Sequence, residues 1–314
     1  MGNSIREAYG KHIVQLGEKN EKLILLEGDL ADSTQSEHFQ QAFPDRYFQI
    51  GIAEQNMVGI AAGLALEGKL PIVNSFAAFI AMRACEQVRT DVAYPNLNVK
   101  FVVSHAGLSA GSAGPTHHTV EDIAIMRAIP NMTVLVPGDI KETKQVIDAA
   151  IEHNGPVYVR NSAIDVENVY DDNHHFKLGK ATQLRDGNDA TIITTGTLMY
   201  EGAKAVGILK SESGINVRLL QMASIKPIDV NAIEKAAEET GLIITIEEHN
   251  IIGGLGSAVS EIVAKNGNAK IKMLGIDDSF CKITGSPEYL LNDKKLNVDS
   301  ICKTVLKLIK NKIN

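Results

Sequence analysis

The sequence predicts an α/β protein of two domains, each a mainly parallel sheet covered by helices. Three observations predict it. Short apolar runs such as Leu23-Ile24-Leu25-Leu26 alternate with segments of helical periodicity, the pattern of strands buried on both faces. The 314 residues are enough for two domains of ordinary size. A polar stretch, residues 165–188, carries Asp171-Asp172-Asn173-His174-His175 and Asp186-Gly187-Asn188 and separates one such alternation from a second. The division is therefore 1–164, a linker at 165–188, and 189–314.

In order, a helix over 5–19 (Ile5, Ala8, Tyr9, Ile13, Leu16) ends at Gly17 and leads to a strand over 23–26. Glu27-Gly28-Asp29-Leu30-Ala31-Asp32-Ser33 is a polar loop. A strand at 47–50 precedes Gly51-Ile52-Ala53-Glu54-Gln55-Asn56-Met57, which opens a helix with Met57, Ile60, Ala61 and Leu64 on one face. A strand at 71–74, a long helix over 77–93 and a strand at 99–104 follow, and Tyr94-Pro95 stops that helix. A Gly/Ser-rich loop, 105–118, leads to a helix at 120–128, a strand at 133–136, a helix at 139–153 and a strand at 157–160. The second unit has strand signals at 190–195, 217–220, 242–246 and 271–274, with helices near 198–211, 229–240, 254–265 and 298–310. Gly253-Gly254-Leu255-Gly256 does not spell a dinucleotide fingerprint; close helix–strand packing explains it better.

Composition narrows the function. A net charge of −7 gives no reason to expect nucleic acid or an anionic membrane as partner. No apolar run is long enough to cross a bilayer, and the N-terminus lacks the apolar core of a signal peptide. Cys85, Cys281 and Cys302 are scattered and odd in number, which reads as reduced thiols in a cytoplasmic protein. His174-His175 has no carboxylate or thiol at ligand spacing, so no metal is expected there.

Six motifs occur together in one order: Gly28-Asp29-Leu30, Gly51–Met57 around Glu54, Asn74-Ser75-Phe76-Ala77-Ala78-Phe79, Ser104-His105, Gly114-Pro115-Thr116-His117 and Val159-Arg160. In this arrangement the first domain resembles the pyrimidine-binding domain of transketolase. The second resembles that family's C-terminal domain, including Glu247-Glu248-His249 and Gly253–Gly256. The resemblance covers essentially the whole chain. It implies a thiamine-diphosphate-binding fold followed by a transketolase C-terminal-like domain. The Gly-Asp-Gly with a following Asn, by which the family anchors Mg²⁺ and diphosphate, does not occur here. The resemblance thus implies the C-terminal half of a split transketolase. Its partner would be an N-terminal subunit carrying the diphosphate domain and most of the Mg²⁺ site, and an α2β2 assembly is the family expectation.

The resemblance also implies roles. Glu54 matches the glutamate that donates a hydrogen bond to the cofactor's pyrimidine ring; only a protonated acid can do so, and desolvation must keep it neutral. Phe76 and Phe79 match the aromatics against that ring, and Met82 stands where a third aromatic is frequent. Asp29 matches a carboxylate beside the thiazolium cation. His105 and His117 match the two active-site histidines that act on the sugar's hydroxyl and developing alkoxide. Arg6, Ser33 and Arg160 match the residues that hold the sugar's terminal phosphate, for which a guanidinium supplies a planar fork. His118 is read as structural.

One departure is Ala113, which stands where many transketolases carry an aspartate that reads the acceptor's hydroxyl; Ser112 is adjacent. The function expected is transfer of a two-carbon ketol unit between phosphorylated or otherwise anionic sugars. The β subunit of a 2-oxoacid dehydrogenase shares the two-domain plan, but decarboxylation has no need of paired histidines for a polyol. A non-catalytic subunit of the same fold would not need Glu54, His105 and His117 intact.

Overall fold

The computed structural model describes residues 4–313. Its first half holds β1 (Leu23–Glu27), β2 (Tyr47–Gln49), β3 (Leu70–Phe76), β4 (Lys100–Ser104), β5 (Thr133–Leu135) and β6 (Val157–Arg160). The second holds β7 (Thr182–Arg185), β8 (Ala190–Thr194), β9 (Val217–Gln221), β10 (Ser224–Lys226), β11 (Leu242–Asn250) and β12 (Lys270–Ile276). Two sheets result, ordered β10-β5-β6-β4-β3-β1-β2 and β12-β11-β8-β9-β7. Within each, pairing is parallel except for β10 and β7, both antiparallel edge strands.

Strand alternation sorts the core. Leu23 and Leu25 of β1, Ile72 of β3 and Val102 of β4 pack on one face, against the helix Ile5–Lys19 (Tyr9, Ile13) and the helix Ile140–Glu152 (Val146, Ile147). Leu26, Val73, Phe101 and Val103 face the other side, against Met57 and Val58 of the helix Glu54–Leu66. That second cluster runs on without a break into Ile193, Leu220, Ile225 and Ile243 of the second half. The two halves therefore share one core.

Three segments differ from the sequence expectation. The single helix over 77–93 is instead a π-helical turn Phe79–Arg83, a short α segment Cys85–Gln87 and a second π-helical stretch Val88–Ala93. Such widened turns recur at functional sites because they re-aim side chains. The linker is not loose. It contributes β7, Tyr170 Oη donates to Glu142 Oε1 at 2.9 Å, and His174 stacks on Tyr170 with ring centroids 3.5 Å apart. Finally, β10 comes from the second half yet completes the first sheet, with Ser224 opposite Leu135 and Lys226 opposite Val134.

Candidate active site

The chain adds β2 on one side of β1 and β3 on the other, so the strand order, though not the strand direction, switches between β1 and β3, and the loops after these strands flank the crevice where parallel sheets bind ligands. Gly28 and Asp29 follow β1, the Phe76–Phe79 turn follows β3, and His105 follows β4. Asp29 and His105 both take left-handed backbone conformations, with φ of +66° and +56°. For non-glycine residues these cost of order 1–3 kcal/mol and cluster at functional sites.

Glu27 fixes the first loop. Its buried carboxylate accepts from the Gly28 and Leu30 amides at 3.0 and 3.3 Å, and from the Thr34 and Ser36 hydroxyls at 2.8 and 2.5 Å. Burial pushes its pKa up, and these donors pull it back. Asp29 is left exposed, its amide donating to Gln49 Oε1 at 2.8 Å; the same oxygen accepts from Gly51 at 3.1 Å. One glutamine thus ties the Asp29 loop to the turn that leads into Glu54.

Glu54 opens its helix and is 1% exposed. It is not a lone acid. Both of its oxygens accept from Arg83 Nη1, at 2.7 and 2.8 Å. The Arg83 guanidinium also lies over the Phe79 ring, 4.4 Å from its centroid. Phe79 is near-parallel to Phe76 (5.8 Å, 19°), and Phe76 stacks on His105 at 3.9 Å. His117 meets Phe79 and Phe76 edge-on at 5.4 and 6.2 Å. Glu54, Phe76, Phe79, His105 and His117, named from distant parts of the sequence, are joined in one chain of contacts. Met82 is 46% exposed beside them on the same turn as Phe79 and Arg83.

The histidines differ. His105 lies against Ser104 Oγ (2.9 Å from Nδ1), and burial, with Arg6 and His117 nearby, lowers its pKa to about 4. At neutral pH it is an uncharged imidazole that can take a proton. His117 is partly exposed, with Nδ1 3.0 Å from Thr116 Oγ1. His118 is buried, with Nε2 2.9 Å from the Gly111 carbonyl, a structural placement.

Arg6 Nη1 donates to the Ser33 carbonyl at 2.9 Å, so these two are neighbours. Arg6, His105 and Ser112 line a cleft of about 1020 Å³ that is also lined by Tyr200, Glu201 and Lys204 of the second half. Ala113 is exposed. Arg160 is not brought to this cleft. It ends β6 at the carboxyl edge, as its position predicts, but its guanidinium turns inward and is only 6% exposed. Nε donates to Asp122 Oδ2 at 2.8 Å, and Nη2 donates to the Thr119 and Glu248 carbonyls at 3.1 Å each. The reason is Asp122, which is fully buried and also accepts from Tyr158 Oη at 2.8 Å.

The Glu247-Glu248-His249 motif turns out to join the halves. Glu247 caps the helix Leu255–Asn266, accepting from the Leu255 and Gly256 amides at 2.6 and 2.8 Å. A Cβ on Gly254 would overlap Glu247, and one on Gly256 would crowd Met273 and Thr245, so the glycines do serve close packing. Glu248 accepts from the Leu108 amide at 2.7 Å, Asn250 donates to the Val120 carbonyl at 2.7 Å, and His249 Nε2 accepts from the Ala124 amide at 3.3 Å. The loop that carries both histidines is thereby held from the second half.

Burial pushes the Glu248 carboxyl up to about 7, although Arg160 opposes it. The native value lies above the unfolded one of about 4.3. Stability from this group is therefore full below the unfolded value and lost as the pH rises to about 7. Glu248→Gln, which keeps an acceptor for Leu108, is expected to gain stability relative to wild type across that window and to hold the gain above it. Denaturant midpoints at pH 5 and pH 8 measure this.

Comparison with known proteins decides the family. The transketolase pyrimidine binding domain family matches residues 2–167, and the transketolase C-terminal domain family matches residues 179–301. The chain belongs to the transketolase family. It is 39% identical to one subunit of the apulose-4-phosphate transketolase of Phocaeicola vulgatus, over 97% of each chain. It is 38% identical to a 6-deoxy-6-sulfo-D-fructose transketolase subunit of a Clostridium species, over 91% of this chain and 88% of that one. A solved split-gene transketolase, an inactive β4 tetramer, superposes with a TM-score of 0.90 at 41% identity, covering 98% of this chain and 99% of that one. The Campylobacter jejuni transketolase shares the fold, with a TM-score of 0.79 at 20% identity, and this chain spans 47% of it. Sequence motifs single out Glu54, Phe76, Phe79, His105 and His117 of this transketolase chain. They do not single out Glu27, Arg83, Asp122 or the docking role of Glu248; a charged residue at the end of an otherwise apolar strand is the available signal for Glu27 and Glu248.

Proposed function

We propose that this chain is the C-terminal subunit of a split transketolase that moves a two-carbon ketol unit from an anionic ketose to an aldose acceptor. The contiguity of Glu54, Phe76, Phe79, His105 and His117 carries this reading. The named activities of the two curated relatives, each on a sugar with an anionic end, support it. Bound thiamine diphosphate supplies the electron sink that lets the ketose C2–C3 bond break. Glu54 is the residue to donate to the pyrimidine ring, and Phe76 and Phe79 are the apolar seat beside it. The burial of Glu54 and Phe76 and the near-parallel rings of Phe76 and Phe79 fit that ring, provided Arg83 moves.

In this reading the uncharged His105 takes the proton of the donor's C3 hydroxyl, and His117, nearer solvent, stabilises charge on the carbonyl oxygen. Asp29, exposed in the loop after β1, would supply negative charge to complement the thiazolium. Arg6, which lines the cleft, and its neighbour Ser33 hold the anionic end of the sugar. Arg160 reaches that end only if it leaves Asp122. Mg²⁺ and the diphosphate are held mainly by the partner subunit, a division that the missing Gly-Asp-Gly of this chain supports.

The test is partner dependence. The purified chain is expected to show no tight binding of thiamine diphosphate with Mg²⁺ by calorimetry and no turnover. Both are expected on mixing with the N-terminal subunit. Full activity from the single chain sinks the split-enzyme reading.

A further inference from the structure

We propose that Arg83 is a further determinant of cofactor binding: it occupies Glu54 and competes with the aminopyrimidine ring for that carboxyl group. The proposal rests on Glu54 as the pyrimidine's partner. A carboxylate that accepts from a guanidinium on both oxygens has no proton to give. The pyrimidine's partner must donate one. The two arrangements exclude each other, so Arg83 has to leave before the ring can be held.

Arg83 covers two parts of the seat at once. Its Nη1 bridges the Glu54 oxygens, and its guanidinium lies over Phe79, one of the rings expected to contact the pyrimidine. It can also leave cheaply. Its side chain is 47% exposed, so the guanidinium gains water as it swings out. Glu54, 1% exposed, cannot be left charged and alone. Departure of Arg83 is therefore accompanied by uptake of one proton from solvent onto Glu54. The N–H···O contacts to Arg83 break, and one O–H···N bond to the ring nitrogen forms. The guanidinium also leaves the Phe79 ring and is hydrated by water.

The sequence position fits this role. Arg83 follows Met82 on the π-helical turn Phe79–Arg83, whose wider winding sets Phe79 and Arg83 beside one another over the start of the Glu54 helix. Its half-exposed side chain lies at the surface, away from the fully buried core.

The test is calorimetric titration of thiamine diphosphate, with Mg²⁺, into the two-chain complex carrying wild type, Arg83→Gln, Arg83→Lys, Glu54→Ala or Glu54→Ala with Arg83→Gln. A half-exposed pair removed from competition is expected to tighten binding in Arg83→Gln by about fivefold. Arg83→Lys, a point charge without the planar fork, is expected to fall between. In the Glu54→Ala background, Arg83→Gln is expected to change nothing. Unchanged binding in Arg83→Gln while Glu54→Ala weakens it overturns the competition alone. Weaker binding in Arg83→Gln makes Arg83 a ligand of the cofactor instead. Equal tightening with and without Glu54 means that Arg83 acts elsewhere. Wild-type affinity in Glu54→Ala removes the pyrimidine reading and the competition together.

Discussion

Glu54→Ala, in the chain assembled with its partner, is expected to lower kcat by about two to four orders of magnitude, the range for loss of an acid–base group. The donor KM is expected to move far less, because the role proposed for Glu54 is toward the cofactor and not the sugar. The fold is expected to survive. The substitution removes a buried carboxylate whose one cationic partner is half-exposed, so the Arg83 charge left behind is hydrated by water. Circular dichroism and the denaturation midpoint check the fold, and steady-state kinetics at saturating cofactor check the rate. Wild-type kcat reduces Glu54 to a helix-start charge paired with Arg83.

Arg160→Ala is expected to destabilise the chain by about 3–5 kcal/mol, the cost of leaving one member of a buried ion pair alone. Asp122 is fully buried and would keep only Tyr158 as partner, while the Thr119 and Glu248 carbonyls lose their donor. Urea denaturation measures the loss. Adding Asp122→Ala is expected to recover part of it, because the uncompensated charge is gone and contacting residues are not additive. A different result carries its own meaning. Unchanged stability, with a raised KM confined to phosphorylated donors, places the guanidinium on the substrate as the sequence motif implies.

The contrast between these residues shows what a sequence can carry. Glu54 stands at a helix start, Phe76 ends β3 and His105 follows β4, and fold geometry alone brings such places to one edge. They are legible because the alternation of strands and helices is legible. The place of Arg160 at the end of its strand is legible too, but where its side chain turns depends on Asp122, 38 residues away on a helix without a motif. The contact of Glu248 with Leu108 spans 140 residues. The widened turns in 77–93 are not legible either. Apolar spacing there suits an ordinary helix, and the change in winding is settled by what the turn packs against. Residues Ser224–Lys226 offer a single apolar side chain between two polar ones, too little to announce a strand.

That short strand has a further consequence. Where family matches divide the chain, at residues 167 and 179, hydrogen bonding does not, because β10 closes the outer edge of the first sheet along β5. Severing the polypeptide there would leave Thr133–Leu135 as a bare rim of unpaired amides and carbonyls, and would strip Ile225 from the shared core. The excised first half is expected to be sticky and self-associating, and adding back residues 168–314 as a separate chain is expected to keep it in solution. The genetic unit that can be moved, shuffled or expressed alone is thus the pair of domains, and the family boundary inside it marks ancestry without marking a place to cut.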